Sequence, residues 1–445
     1  MMKKVLIANR GEIALRINRA CHELGLSTVA VYSTADADAL HVKFADESVC
    51  IGPPQASESY LNMSSLLAAA EVTGADAVHP GYGFLAENAT FARACQAENL
   101  CFIGPSPDVI DQMGHKIRAK ELAHKAGVPT LPSLVVKPEM STPEVMHALK
   151  EIGYPVLIKA AMGGGGRGMK LVKSPEEWTS LYSLARSESL KAFGSDEVYV
   201  EKYCVSPKHV EVQVLGDQSG KVLHFGERDC SIQRRHQKLV EEALCPILEE
   251  STRQQMGKVA VQLAEQVGYY SAGTVEFVLD ADKNFYFLEM NTRIQVEHPV
   301  TEMVTGFDLV KAQIEVAQGQ NLKLKQSDLQ FRGHSIECRI LAEDPKNFQP
   351  CPGLISLFHP PMGFGVRLES TACSDYFVPP YYDSMIAKLI VHADSRVAAI
   401  EKMKQALREF VIQGIKTTIP LHLEIMDHPV FREGNYDTKF LESRA

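Results

Sequence analysis

The densest run of chemically able side chains is Glu289-Met290-Asn291-Thr292-Arg293-Ile294-Gln295-Val296-Glu297-His298-Pro299. In an extended backbone alternate side chains project to one side, so Glu289, Asn291, Arg293, Gln295 and Glu297 are expected to share a face. A solvated edge strand alternates too, but such edges favour Lys or Thr over an acid, amide, arginine, amide, acid series. Glu276 lies on the preceding strand, in Gly273-Thr274-Val275-Glu276-Phe277-Val278, joined by a turn rich in Asp, Lys and Asn. Register decides whether it meets Glu289. A four-residue turn over 281–284 sets the two opposite each other, whereas a five-residue turn puts them on opposite faces unless a bulge intervenes. Facing carboxylates need a shared proton or a cation between them. Glu276, Glu289 and Asn291 offer oxygen alone, which suits Mg²⁺ or Mn²⁺ rather than zinc, with phosphate oxygens completing the octahedron.

The second motif is Gly163-Gly164-Gly165-Gly166-Arg167-Gly168. It matches G-x-G-x-x-G by letter, but Met169 to Val172 behind it reads as a strand rather than a helix start, and Walker A spacing is absent. With the strand Val156 to Lys159 in front, the unit is a glycine-tipped hairpin. Bare glycine amides can close on phosphate oxygens and serve as a lid. A plain surface loop accounts for the glycines equally well; Lys159 and Lys116 turn the reading toward phosphates. The run Glu227-Arg228-Asp229-Cys230-Ser231-Ile232-Gln233-Arg234-Arg235-His236-Gln237-Lys238 would ordinarily be a solvated loop. Beside a phosphate loop and an acidic pair it is read as a source of cationic donors to phosphates and to a small oxyanion. Cys230 has the basic neighbours of a nucleophile, yet nothing else resembles acyl transfer, and it is taken as structural. His79-Pro80-Gly81-Tyr82-Gly83-Phe84 follows an apolar strand and reads equally as a turn or a substrate-facing loop.

The elements that hold these residues belong to a chain of 445 residues, enough for two to four domains. A hydrophobic share of 45% and a charged share of 23% exclude collagen-like and disordered chains. A net charge of -9 gives no global field for nucleic acid or an anionic membrane, so any anion site is a local pocket. The N-terminal apolar run, Val5 to Ala8, is too short for a signal peptide and reads as a first strand. The uncharged stretch 347–366 holds four prolines and three glycines, which rules out a spanning helix. Ten scattered cysteines without a C-x-x-C pair point to a reducing cytoplasm. Alternating apolar and amphipathic stretches through the first third predict a Rossmann-like parallel sheet over 1–115. The single glycine of Asn9-Arg10-Gly11-Glu12 argues against a nicotinamide or flavin. A central domain over 116–330 contains a smaller module at about 131–203, and a third unit of strands with one helix fills 331–445.

Lys116, Lys159 with the glycine lid, Glu201-Lys202-Tyr203-Cys204 and the Glu276, Glu289, Asn291 set resemble the ATP-grasp fold. Asn9 to Ala14, His79 to Asn88, Glu227 to Ser231, Glu289 to Glu302 and Pro379 to Met385 resemble biotin carboxylase specifically, and the likeness covers essentially the whole chain. It implies a multidomain α/β and α+β fold: a Rossmann-like N-terminal domain, an ATP-grasp domain with a glycine-rich lid, and a biotin-carboxylase C-terminal domain. It implies a C–N-bond-forming ligase that carboxylates biotin with ATP and bicarbonate through carboxyphosphate, as the stand-alone subunit of an acetyl-CoA carboxylase. A pyruvate or other acyl-CoA carboxylase, another ATP-grasp ligase and a silent ATP-binding regulator are the alternatives. By the same resemblance Lys116, Lys159, Gly165 and Gly166 contact ATP phosphates and Glu201 to Cys204 line the adenine site. Met169, His209, Gln233, His236, Glu276 and Glu289 complete the nucleotide set. Lys238, Arg293 and the Val296 backbone hold bicarbonate, Glu297 is the general base, and Arg339 and Tyr82 face biotin. Two Mg²⁺ or Mn²⁺ ions fall to Glu276, Glu289 and Asn291. No Ala-Met-Lys-Met segment is present, the nearest being Gly168-Met169-Lys170-Leu171, so biotin arrives on a separate carrier protein. Carboxyltransferase subunits, a homodimer and a cytoplasmic site are implied with it, and neither nucleic acid nor membrane. The turn near 280 is about one residue longer than in the family.

Overall fold

A computed structural model describes residues 2–137, 139–162 and 169–442. A five-stranded parallel sheet opens the chain, in the order Glu47–Gly52, Ser27–Ser33, Lys4–Ile7, Ala77–His79, Cys101–Phe102. Val5, Leu6 and Ile7 are all buried because helices cover both faces, which is why this strand reads as an unbroken apolar run. The turns after the Lys4–Ile7 and Ala77–His79 strands meet through Asn9, whose Nδ2 donates to the carbonyls of Pro80 and Tyr82, both at 2.7 Å. Gly81, at φ +62°, is needed there, since a Cβ would stand 2.9 Å from that same nitrogen.

The module expected near 131–203 contains a four-stranded sheet in the order Ser133–Val135, Val198–Lys202, Val156–Ala160, Lys170–Val172, backed by helices Thr142–Ile152 and Trp178–Phe193. Val156 pairs with Val172 in antiparallel register, so the strands flanking the glycine run form the expected hairpin. The run itself, with Gly165 and Gly166, lies outside the described residues.

The main sheet has eight strands, ordered Phe285–Asn291, Ser271–Leu279, Lys208–Gly216, Val222–Arg234, Gln237–Ala243, His334–Leu341, Met385–Ala393, Val366–Ser370. It is continuous across residue 330, because Val240 pairs with Cys338 and Glu241 with Glu337. Two sequence expectations are corrected here. The stretch 227–238 is not a loop: it is the end of one long strand, a two-residue turn and the start of the next, buried from Glu227 through Gln233. The extended backbone after Glu289 ends at Asn291; bends and turns follow, and Glu297 is the N-cap residue of helix His298–Thr305. Strand alternation therefore accounts for Glu289 and Asn291 but not for the three residues after them.

The hairpin register is resolved. The connection is five residues, 280–284, and Leu279 pairs with Phe285. The register then shifts between Phe277 and Glu276, leaving Leu288 without a partner and setting Glu276 opposite Glu289. The bulge undoes the face swap that the odd loop imposes.

Arg228 ties this sheet to the turn beside it. Fully buried, it donates to Glu211 Oε1 (2.6 Å), Gln213 Oε1 (2.7 Å), Thr301 Oγ1 (3.0 Å), Thr274 Oγ1 (3.1 Å) and Gln295 Oε1 (2.7 Å). These bonds use every donor the guanidinium has. Arg228→Leu leaves buried acceptors unpaired and is expected to cost about 3–5 kcal/mol. Urea unfolding at constant slope measures it, and a loss below about 1 kcal/mol would show that the network does not hold the sheet to the turn.

Candidate active site

Nineteen residues expected at the site and described in the structure line one cleft of about 860 Å³ between the first domain, the main sheet and the smaller module. They are Tyr82, Lys116, Lys159, Met169, Glu201, Lys202, Tyr203, Cys204, His209, Gln233, His236, Lys238, Glu276, Glu289, Asn291, Arg293, Val296, Glu297 and Arg339.

At the floor of the cleft the Lys238 ammonium donates to Glu211 Oε2 (2.6 Å), Glu297 Oε1 (2.6 Å) and Glu276 Oε1 (3.1 Å). Burial alone would pull this amine down, but the three carboxylates outweigh it and hold Lys238 well above its ordinary range. The same pairing works in reverse on Glu297. Burial pushes its carboxyl up, yet Lys238, Arg339 and Arg228 together keep it well below the usual carboxylate range. Glu297 is thus an anion with 2% exposure, its second oxygen accepting from Arg339 Nη2 at 2.9 Å. Arg339 is held from behind by Glu241, through Nε at 2.6 Å. Cys230 Sγ points at Glu297 Oε1 from 3.9 Å, and burial pushes its thiol well up, in keeping with an inert cysteine.

Local backbone explains how Lys238 gets there. The turn between its strand and the preceding one consists of Arg235 (φ 48°) and His236 (φ 66°), both left-handed. Such two-residue turns normally take Asn-Gly; strain of about 1–2 kcal/mol per residue is accepted here to bring His236 and Lys238 to the cleft.

On the opposite wall Lys116 stands 3.2 Å from Glu289 and Lys159 donates to Glu201 Oε2 at 2.5 Å. Glu201 also pairs with the buried Lys120, and although burial raises its carboxyl, the two lysines bring it below the ordinary range. Its side chain is thus committed to placing Lys159. The Lys202 ammonium turns to the carbonyls of Gly153 (2.8 Å) and Tyr154 (3.2 Å). Glu276 takes the His209 imidazole at 2.9 Å and the amides of Asn291 and Gln295, each at 2.8 Å. Burial lowers His209 but Glu276 outweighs it, so the imidazole is raised. For a hard cation the oxygen donors are suitably arranged, since Glu276 faces Glu289 and Asn291 follows on the same face of the strand. In this structure Asn291 Oδ1 accepts from Arg293 Nη2 at 3.1 Å, so that amide oxygen would change partner on metal binding.

Several residues of the site escaped the sequence reading. Glu87, from the first domain, accepts from Arg293 Nε (2.8 Å) and from the Thr292 amide (3.0 Å), pinning the turn that carries Arg293. Its only signal was membership of the 79–88 segment. Glu211 was visible as the middle of the alternation His209, Glu211, Gln213 between valines, a pattern that ordinarily means a half-solvated strand. Glu241 and Lys120 carried no signal apart from their charge.

Three family models divide the chain between them: "Biotin carboxylase, N-terminal domain" over 1–110, "Carbamoyl-phosphate synthase L chain, ATP binding domain" over 115–325, and "Biotin carboxylase C-terminal domain" over 337–443. Biotin carboxylase 1 of Bacillus subtilis is 56% identical over 100% of this chain and 99% of its own. The chain belongs to the biotin carboxylase family. It is an ATP-grasp carboxylase of the ligase type, with the three-part architecture of that family. The biotin carboxylase–β,γ-ATP complex from Campylobacter jejuni superposes with a TM-score of 0.96 at 50% identity, covering 100% of this chain and 99% of that one. The biotin carboxylase domain dimer of Hydrogenobacter thermophilus 2-oxoglutarate carboxylase, with MgADP, ADP and bicarbonate, gives 0.95 at 51% identity, covering 100% and 98%.

The ammonium at the floor has a measurable sign. In the native chain Glu276 and Glu297 sit below their unfolded values, so their stabilisation is present above about pH 4.3 and lost as pH falls through the folded values. In Lys238→Met burial dominates and lifts these carboxyls above the unfolded values, so stability should fall with rising pH relative to the parent. The expected gap in unfolding free energy, from urea titrations, widens from about pH 5 to about pH 8, by up to about 1.4 kcal/mol per pH unit for each retained proton. A gap independent of pH would show that Lys238 does not set these charges.

Proposed function

We propose that this chain carboxylates biotin presented by a separate carrier protein, using ATP and bicarbonate, as the first half-reaction of an acetyl-CoA carboxylase. The observation that carries the reading is a buried carboxylate, Glu297, kept anionic between Lys238 and Arg339 in the cleft that also holds Lys116 and Lys159. Bicarbonate is a weak nucleophile. Held by Lys238, Arg293 and the Val296 backbone beside Glu297, it is oriented and loses its proton to the carboxylate as its oxygen attacks the γ-phosphate. ADP leaves and carboxyphosphate forms. Closure over the cleft keeps water from that labile species. When it breaks into CO₂ and phosphate, the phosphate takes the biotin N1′ proton, Arg339 stabilises the ureido oxyanion, and the nitrogen attacks CO₂. A Mg²⁺ or Mn²⁺ ion held by Glu276, Glu289 and Asn291 would spread charge on the transferring phosphoryl oxygens.

The adenine end is assigned to Met169, Glu201 to Cys204, Gln233 and His236, and the biotin side to Tyr82 and Arg339. Domains at 1–115, 116–330 and 331–445 are supported by the gaps between the three matched models. Partnership with a biotin carrier and carboxyltransferase subunits follows from the half-reaction. A homodimer is supported by the dimeric Hydrogenobacter relative. A cytoplasmic location is supported by ten free cysteines; no helix among the described residues is long and apolar enough to cross a membrane. The small subunit of 2-oxoglutarate carboxylase from Hydrogenobacter thermophilus, 52% identical over 99% of this chain and 93% of its own, supports a second reading with a keto acid as final acceptor. The acceptor never enters this cleft, so the two readings share every residue above and differ only in the carboxyltransferase that completes turnover.

Glu297→Gln is expected to lose roughly 10²- to 10⁴-fold in bicarbonate-dependent ATP cleavage. Arg339→Gln should retain most of that cleavage, because Lys238 alone still keeps Glu297 charged, yet lose roughly 10²- to 10³-fold in biotin carboxylation. Phosphate release and carboxybiotin formation, followed in parallel, decide it. Equal loss of both activities in both variants would mean that the 2.9 Å ion pair acts as one unit.

A further inference from the structure

Glu241 and Glu337 stand directly opposite each other where strand Gln237–Ala243 pairs with His334–Leu341. Antiparallel partners of this kind have Cβ atoms about 4.5–5.5 Å apart on one face. Both residues are 0% exposed. Arg339, two residues beyond Glu337, shares that face, and Lys388 lies opposite Arg339 on the next strand. Neither cation bonds Glu337: Arg339 is held by Glu241 (2.6 Å) and Glu297 (2.9 Å), Lys388 by the Val296 carbonyl (2.8 Å) and Glu12 (3.1 Å). Neither oxygen of Glu337 has a hydrogen-bond partner among the described residues, and neither does Glu241 Oε2. An ionised carboxylate so placed would be buried, undonated and facing another anion.

We propose that Glu241 and Glu337 share one proton, and that this pair is the positioning device for Arg339. Glu337 carries the proton and donates it to the free oxygen of Glu241, whose other oxygen anchors the Arg339 guanidinium. The inference rests on the reading that Arg339 faces biotin. Its consequence is a division of holds on one side chain. When Glu297 accepts the bicarbonate proton, Arg339 Nη2 loses that partner while Glu241 Oε1 keeps Nε (2.6 Å) and stays 2.5 Å from Nη2, so the guanidinium remains anchored with one Nη2 hydrogen freed toward an oxyanion. Loss of the shared proton would place two anions behind Arg339 and draw it away from the cleft.

The charged and titratable groups facing the pair are Arg339 and Lys388 on the neighbouring strand positions, Lys238 on the strand of Glu241, Glu297 at the start of helix His298–Thr305, Tyr82 from the first domain, and the buried thiols of Cys230 and Cys338. Burial pushes Glu337 well up against Lys388, with Glu241 adding to the rise, and burial likewise lifts Glu241 despite Arg339. The shared proton is therefore held more tightly than by an ordinary carboxylate, and it leaves as pH rises.

Infrared titration of the full chain, free of substrates, reads the carboxylic-acid C=O band directly, while carboxylation of free biotin and bicarbonate-dependent ATP cleavage are followed against pH. The native chain should show a protonated carboxyl at neutral pH that disappears on the alkaline side together with kcat/KM for biotin. Glu337→Gln, which fixes the uncharged state, should lose that band, retain ATP cleavage, and hold its carboxylation to a pH at least about one unit higher, a tenfold change in proton affinity. Absence of the band in the native chain, its persistence in Glu337→Gln, or an unmoved alkaline limit each overturns the proposal. Should Glu337→Gln fail to fold, the band in the native chain and its downshift on ¹³C-glutamate labelling still decide whether a glutamic acid holds the proton. If Arg339→Gln carboxylates biotin normally while the band is unaffected, the biotin-side reading and the positioning role fall and the shared proton alone stands.

Discussion

One ammonium among three carboxylates is the constraint on which the cleft depends. Glu211, Glu276 and Glu297 come from two strands and a helix start, and all three turn a buried oxygen onto the Lys238 ammonium. The arrangement is short of positive charge by design of the sheet, and the shortage is met from several sides: Arg228 beneath Glu211, His209 beside Glu276, Arg339 against Glu297. Each cation touches an acid that touches Lys238, so a change at one is felt at all. This keeps Glu297 anionic and makes it a poor place to tolerate substitution.

The eight-stranded sheet gives that constraint its geometry. Lys238 and Arg339 lie on adjacent strands even though the residues between them number about a hundred, because Gln237–Ala243 pairs with His334–Leu341. The Lys238 and Arg339 sides of the cleft are thus parts of one hydrogen-bonded surface, while Lys159 stands on a separate small sheet.

Much of this was legible in the chain. The parallel first sheet and the paired strands around the glycine run follow from apolar periodicity and turn composition, whereas the facing of Glu276 and Glu289 hung on a bulge that the sequence left open. What was not legible has one physical origin. Sequence patterns report water on one side and oil on the other, but the main sheet buries a polar face, so Glu211 and the charged residues of 227–233 carry the pattern of a solvated stretch although all are buried. Arg228 is the extreme case, since a fully buried guanidinium is a statement about five partners on four segments, none of which is near it in sequence. The turn after Asn291 was missed for a related reason: Glu87, more than two hundred residues away, holds it.

The unpaired Leu288 also says something about how this hairpin can change. Loop and bulge together contribute an even offset, and only that parity decides whether Glu276 and Glu289 see each other. Residues can therefore be gained or lost at the 280–284 tip in pairs without consequence for the carboxylates, or singly when a bulge appears or vanishes with them. The exposed end of the hairpin is free to drift in length while the chemical end is counted modulo two.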